Sequence, residues 1–94
     1  MSYKLKFKIA AKKEWDKLDS SLRSIFKNRL IERLKKPHNE PSRLNGMKNC
    51  YKIKLRQAGY RLVYQVRDKE LVVVVVAVGK REKNYVYKTA IKRI

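Results

Sequence analysis

Seven consecutive residues, Cys50-Tyr51-Lys52-Ile53-Lys54-Leu55-Arg56, carry cations at every second position. At a period of two, Lys52, Lys54 and Arg56 fall on one face of a strand. A second alternating run, Tyr60-Arg61-Leu62-Val63-Tyr64-Gln65-Val66, follows Gln57-Ala58-Gly59, and on it Arg61, Val63, Gln65 and Arg67 share a face. A hairpin register that sets Arg61 beside Lys54 gathers three or four cations on a rigid sheet. One lysine alone reads as part of a solvated face. The group repels itself, and a bound phosphate relieves that repulsion.

Such a group has parts that suit RNA cleavage without a metal. The 2′-hydroxyl attacks the adjacent phosphorus, which calls for a base, cations for the phosphorane, and an acid for the leaving 5′-oxygen. A lysine among cations has its neutral form favoured and can act as a base. Arginine matches phosphate oxygens with its fork but is a poor acid. Tyrosine can orient a hydroxyl or stack on a base.

Other chemistries find little support. The single histidine, His38, lies in a proline-flanked stretch, and the single cysteine, Cys50, reads as a semi-buried strand residue. One cysteine excludes an intramolecular disulfide. The eight carboxylates are scattered, without a DxD, HExxH or cysteine pair, so no metal site is expected. No GxxxxGK[ST] or GxGxxG loop is present, so no nucleotide cofactor is expected either.

The elements that hold these residues can be read along the chain. Tyr3 to Ile9 alternates apolar residues with Lys4, Lys6 and Lys8, as a half-buried strand does. Ala11, Trp15 and Leu18 predict a short helix from about Ala10 to Lys17. Asp19-Ser20-Ser21 offers N-caps for a second helix, with Leu22, Ile25, Phe26, Leu30 and Leu34 on one face and Arg23, Lys27, Lys35 and Lys36 pointing away. Pro37 stops it. Lys36 to Asn49 reads as a loop. The two cationic strands then form a β-hairpin. Arg67 to Glu70 reads as a turn, and Leu71 to Val78 as a central strand covered on both faces and ended by Gly79. Lys80 to Ile94 predicts a weakly amphipathic helix with Val86, Ala90 and Ile94 inward. The expectation is one α+β domain, residues 1–94, in the order β-α-α-β-β-β-α. An N-terminal strand and helical hairpin pack on a mainly antiparallel sheet that buries Trp15, Phe26, Ile53, Leu55, Leu62 and the valine run.

The chain carries 26 Lys and Arg against 8 Asp and Glu, a formal net charge of +18 spread through the elements rather than held in a tail. That implies a folded basic surface for a polyanion: nucleic acid, a ribosome, an anionic membrane or an acidic protein. The start has no signal-peptide pattern and the longest apolar run is too short to span a bilayer, so a cytoplasmic protein with no membrane partner is expected.

Leu44 to Arg56, followed by Gly59 to Val66, resembles the RelE toxin family of bacterial toxin–antitoxin modules. So do Val78-Gly79-Lys80-Arg81-Glu82, Val86-Tyr87 and Lys13-Glu14-Trp15-Asp16-Lys17-Leu18. The resemblance runs from about Tyr3 to Ile94. It implies an mRNA interferase that cuts mRNA in the ribosomal A site, leaving a 2′,3′-cyclic phosphate and a 5′-hydroxyl. Position by position, it implies Lys54 as base and Lys52 as phosphate holder. Arg61 would stabilise the transition state, Arg81 would serve as acid or charge stabiliser at the leaving group, and Tyr87 would orient the 2′-hydroxyl and stack on mRNA. It further implies an acidic RelB-like antitoxin that masks the basic surface. Lys4, Lys6, Lys8, Lys27, Lys35 and Arg56 are expected to contact ribosomal or messenger RNA. Two alternatives stand beside this reading. One is a ParE-like toxin that inhibits gyrase. The other is a noncatalytic RNA- or ribosome-binding module with Tyr51, Tyr60 and Tyr64 packing or stacking.

Overall fold

The computed structural model describes residues 2–94. Its elements run β1 (Lys4–Phe7), α1 (Ile9–Asp16), α2 (Ser20–Lys35), β2 (Cys50–Leu55), β3 (Tyr60–Arg67), β4 (Val72–Lys80) and α3 (Tyr85–Arg93), the expected β-α-α-β-β-β-α order. Single 3₁₀ turns at Glu40–Ser42 and Asp68–Glu70 break the two loops. The sheet order is β1-β4-β3-β2. β1 lies parallel to β4, and the other two pairings are antiparallel.

The second helix of the N-terminal hairpin starts where chain chemistry allows. Asp19 accepts a hydrogen bond from the Leu22 amide at 2.9 Å and so caps α2. Phe26 and Leu30 are fully buried, each contributing about 1.5–3 kcal/mol by leaving water. Leu22 and Leu34 pack partly buried beside them. Ile25, expected inward, is 44% exposed instead. Five apolar positions make a stripe wider than the sheet surface that α2 covers. Trp15 is half-buried rather than buried, its ring packed between those of Phe7 and Phe26 at 5.2 and 6.3 Å.

The valine run is covered on both faces, as its unbroken apolar character requires. One core lies under α1 and α2 and includes Tyr51, Ile53, Leu62, Tyr64, Val73, Val75 and Val78. The other lies under α3 and includes Leu44, Met47, Cys50, Val63, Val76, Ala77, Val86 and Ala90. A bulge shifts the phase between them. Val63 pairs with Ala77 but Tyr64 pairs with Val75, leaving Val76 extra. Before the bulge the odd residues of β4 face the helical hairpin; after it the odd residues face α3.

That shift explains Gly79. The strand does not end there, as the sequence suggested, but runs on to Lys80. Gly79 faces α3, and a Cβ at that position would meet Val86 Cγ2 at 3.2 Å. The helix therefore starts at Tyr85, not Lys80: residues 81–84 are needed to turn the chain over the sheet. Lys83 and Asn84 both take the left-handed conformation in that turn, with φ of 45° and 58°. Ile94, expected inward, lies beyond the helix end and is 44% exposed.

Two side-chain constructions close the sheet edges, where free backbone groups would otherwise invite pairing. β1 reaches only as far as Val75. Past it, Arg93 donates to the Val76 carbonyl at 2.9 Å and Glu14 accepts from the Val78 amide at 3.1 Å. On the other edge, Leu44 donates its amide to the Cys50 carbonyl at 2.9 Å, and Arg33 donates to the Lys52 carbonyl at 3.3 Å. Arg33 also reaches the Tyr64 hydroxyl at 2.9 Å and Ser42 Oγ at 3.1 Å. Among the described residues, no helix is long and apolar enough to cross a membrane.

Candidate active site

The hairpin register pairs Lys54 directly with Arg61 and Lys52 with Val63. Alternation along β2 then separates the side chains cleanly. Tyr51, Ile53 and Leu55 enter the core beneath the helical hairpin. Lys52 and Lys54 stand half-exposed on the opposite face, together with Arg61. This is the face that α3 partly covers.

Arg61 is bracketed from α3 and the turn before it. Its guanidinium lies over the Tyr87 ring, 5.1 Å from the centroid, and its Nη1 donates to Asn84 Oδ1 at 3.3 Å. The pairing of Arg61 with Gly79 makes this possible, because a residue without a side chain leaves room for α3 to approach. Arg81 comes next to the same place. Its amide donates to the Gly59 carbonyl at 2.6 Å, tying the end of β4 to the hairpin turn. Lys54, Arg56, Arg61 and Arg81 consequently line one cleft of about 290 Å³, with Leu55, Gly59 and Tyr60 as its remaining wall.

The electrostatics follow from this crowding. Lys54 sits below the ordinary lysine pKa, chiefly because Lys52 repels its charge, with desolvation, Arg61 and Arg56 adding to the effect. Burial pushes the Tyr87 phenol up, while the nearby Arg61 pulls it partly back. No group among the described residues meets the buried Tyr87 hydroxyl at hydrogen-bond geometry. Arg61 covers the ring, and the hydroxyl itself is shielded from solvent. The site thus holds a lysine with an eased deprotonation, a pinned guanidinium and a second arginine across the cleft, with the Tyr87 ring behind the first arginine and its phenol buried and protonated at neutral pH.

The remaining cations are more dispersed. Arg56 joins the cleft. Lys4 and Lys6 alternate with Leu5 and Phe7, which pack on the hairpin core. They therefore emerge on the same face as Lys54, but from β1, three strand spacings or about 14 Å away. Lys8 lies at the N-terminus of α1. Lys27 and Lys35 are exposed on α2, which covers the other side of the sheet. The structure does not bring these six together.

Several contributing residues gave no signal in the sequence. Asn84 and Arg33 act on Arg61 and Lys52 from distant elements, and a polar residue in a loop or on a helix is unremarkable by itself. His38 bonds Tyr51 at 2.7 Å and Asp68 at 2.8 Å. Tyr3 donates to the same carboxylate at 2.6 Å. That network fastens the loop to the sheet edge away from the cleft. Among the described residues, no three of His, Cys, Asp or Glu converge as metal ligands.

A short helical hairpin and a C-terminal helix packed on a mixed four-stranded sheet, with a cationic cleft at the β2–β3 turn, mark one class of type II toxin. The model of the ParE toxin of the type II toxin–antitoxin system parDE matches residues 5–85, and the chain belongs to this RelE/ParE family. Within it the likeness is to RelE. The mRNA interferase toxin RelE of Escherichia coli (strain K12) is 54% identical over 94 residues, covering 100% of this chain and 99% of that one. A double-arginine mutant of E. coli toxin RelE in the free state superposes with a TM-score of 0.92 at 53% identity, covering 100% and 99%. The same mutant in complex with an antitoxin RelBc peptide gives 0.84 at 53% identity and the same coverage.

Proposed function

We propose that this chain is an mRNA interferase, a ribosome-dependent endoribonuclease that cuts mRNA in the A site and so inhibits translation. The observation that carries the reading is the direct pairing of Lys54 with Arg61 in one cleft with Arg81. Lys54, in its neutral form, takes the proton from the 2′-hydroxyl. The O2′ attacks phosphorus, and Lys52 and Arg61 hold the charge that builds on the phosphorane oxygens. The P–O5′ bond breaks, leaving a 2′,3′-cyclic phosphate. Arg81 stabilises the departing 5′-oxygen, which takes up a proton from solvent and leaves as a hydroxyl, while Lys54 returns the proton it accepted to solvent. The Tyr87 ring supports Arg61, and its hydroxyl, buried in the free protein, would have to be uncovered on substrate binding to orient the 2′-hydroxyl by a hydrogen bond. These groups act as a unit. Neither histidine nor a carboxylate lies among the cleft residues, so cutting relies on the ribosome to align the 2′-hydroxyl with the phosphorus.

The basic surface favours ribosomal RNA, with Lys4, Lys6, Lys8, Lys27 and Lys35 as phosphate contacts outside the cleft. It equally favours an acidic RelB-like antitoxin, as the complexes of the E. coli relative suggest. A cytoplasmic site of action goes with a ribosomal target. Tyr51 and Tyr64 are 2% and 0% exposed in the hairpin core, so of the three tyrosines named for a noncatalytic RNA module only Tyr60, on the cleft wall, keeps ring surface for stacking.

The test is incubation with programmed ribosomes and mapping of mRNA ends by primer extension. Cuts in phase with the codon, lost in Arg81→Ala while ribosome binding survives, are expected. Binding without cuts would sink the enzymatic reading, and loss of gyrase supercoiling instead would point to the ParE branch.

A further inference from the structure

We infer that Asn84 is a positioning residue for Arg61. The inference rests on the RelE-type reading of the cleft. Asn84 combines two properties that its place requires. Its φ of 58° and ψ of 26° put it in the left-handed region, where asparagine is tolerated better than most non-glycine residues. Its Oδ1 accepts from Arg61 Nη1 at 3.3 Å. The Tyr87 ring, three residues on and one turn into α3, supports the same guanidinium at 5.1 Å from the centroid.

Neither contact alone restrains the side chain. A ring face fixes the guanidinium above it but leaves it free to slide, and one hydrogen bond leaves it free to swing. Together they hold the fork over the cleft beside Lys54, so that its other donors remain for phosphate. The surroundings favour the opposite outcome. Lys54 is Arg61's direct strand partner and Arg81 lines the same cleft, and both repel an unrestrained cation toward solvent. A neutral acceptor suits this task better than a carboxylate. It directs the arginine without cancelling the charge that the phosphorane needs.

Asn84→Gly separates the two properties, since glycine keeps the left-handed backbone and removes the acceptor. Freeing one long side chain is expected to slow single-turnover cleavage on saturating ribosomes about 3- to 10-fold, with ribosome affinity unchanged. The decisive measurement is the double-mutant cycle with Arg61→Ala. In that background Asn84→Gly should cost nothing further, because the group it positions is gone. A purely structural role would make the two effects additive, and additivity overturns the inference. An independent readout needs no activity. The Tyr87 ring beneath Arg61 should shift the Arg61 side-chain proton resonances upfield, and Asn84→Gly should move them toward random-coil positions. If they stay in place, the positioning role is wrong. If they move while the parent chain cuts no mRNA, the placement stands and the proposed function fails.

Discussion

Arg93 and Glu14 join the two ends of the molecule across the exposed edge of β4. The guanidinium meets both carboxylate oxygens, at 2.8 and 3.1 Å, and each partner also bonds the strand backbone. α3 is thus fastened at both ends: by this pair near its C-terminus, and by Arg61 with Asn84 and Tyr87 at its start. The two side chains are about a quarter exposed, so water weakens the ion pair but does not replace the backbone contacts.

Removing the Glu14 side chain leaves the Val78 amide without its acceptor and Arg93 with only the Val76 carbonyl. Glu14→Ala should therefore destabilise the fold by about 1–3 kcal/mol. Glu14→Gln, which keeps an acceptor for Val78 but loses the charge, should fall between the parent and Glu14→Ala in urea unfolding. Equal midpoints for all three proteins would show that the edge contacts contribute nothing.

Lys54 and Lys52 make a pH prediction. Lys54 lies below its ordinary value of 10.5, with Lys52 as the largest cause. A base must be neutral to accept a proton, so cleavage rises with pH through an inflection below 10.5. Lys52→Ala removes a repelling charge, which favours the charged form of Lys54 and moves the inflection upward. The rate near pH 7 falls for that reason in addition to any loss of phosphate binding. An inflection that stays put or moves down in Lys52→Ala would exclude Lys54 as the titrating base.

Tyr87 offers two separable contributions. Tyr87→Phe keeps the ring beneath Arg61 and loses the hydroxyl, and should slow cleavage about 10- to 100-fold, the value of one hydrogen bond to a charged transition state. Tyr87→Ala also removes the cation–π contact and its packing against the α3-side core, and should cost about tenfold more. Single-turnover rates on saturating ribosomes give the comparison. Equal rates for Tyr87→Phe and the parent would confine the residue to a supporting role.

Cys50 is fully buried in the core under α3, and burial pushes its thiol up to about 11. The thiolate is the reactive species, so the native protein should resist iodoacetamide at pH 8 over hours and react promptly in denaturant. Mass spectrometry of the alkylated chain reads this directly. Rapid native modification would mean that the core under α3 opens readily.

The order of elements, the hairpin and the cations of the site are all legible in the chain itself. Alternation at a period of two put Lys52, Lys54 and Arg61 on predictable faces. Asp19 marked the start of α2, and the unbroken valine run marked a strand covered on both sides. These are local properties, set by backbone geometry within a few residues. The bulge at Val76 is not local. A run of identical apolar residues carries no mark of which one is extra, and only packing against β3 and α3 selects it. Once selected, it turns Gly79 toward α3, moves the start of that helix to Tyr85, and leads Arg81 into the cleft. Asn84, Arg33 and the Glu14–Arg93 pair are legible only in three dimensions for the same reason. Their partners lie 9 to 79 residues away in the chain, and no sequence spacing records which polar side chains tertiary packing will bring into contact.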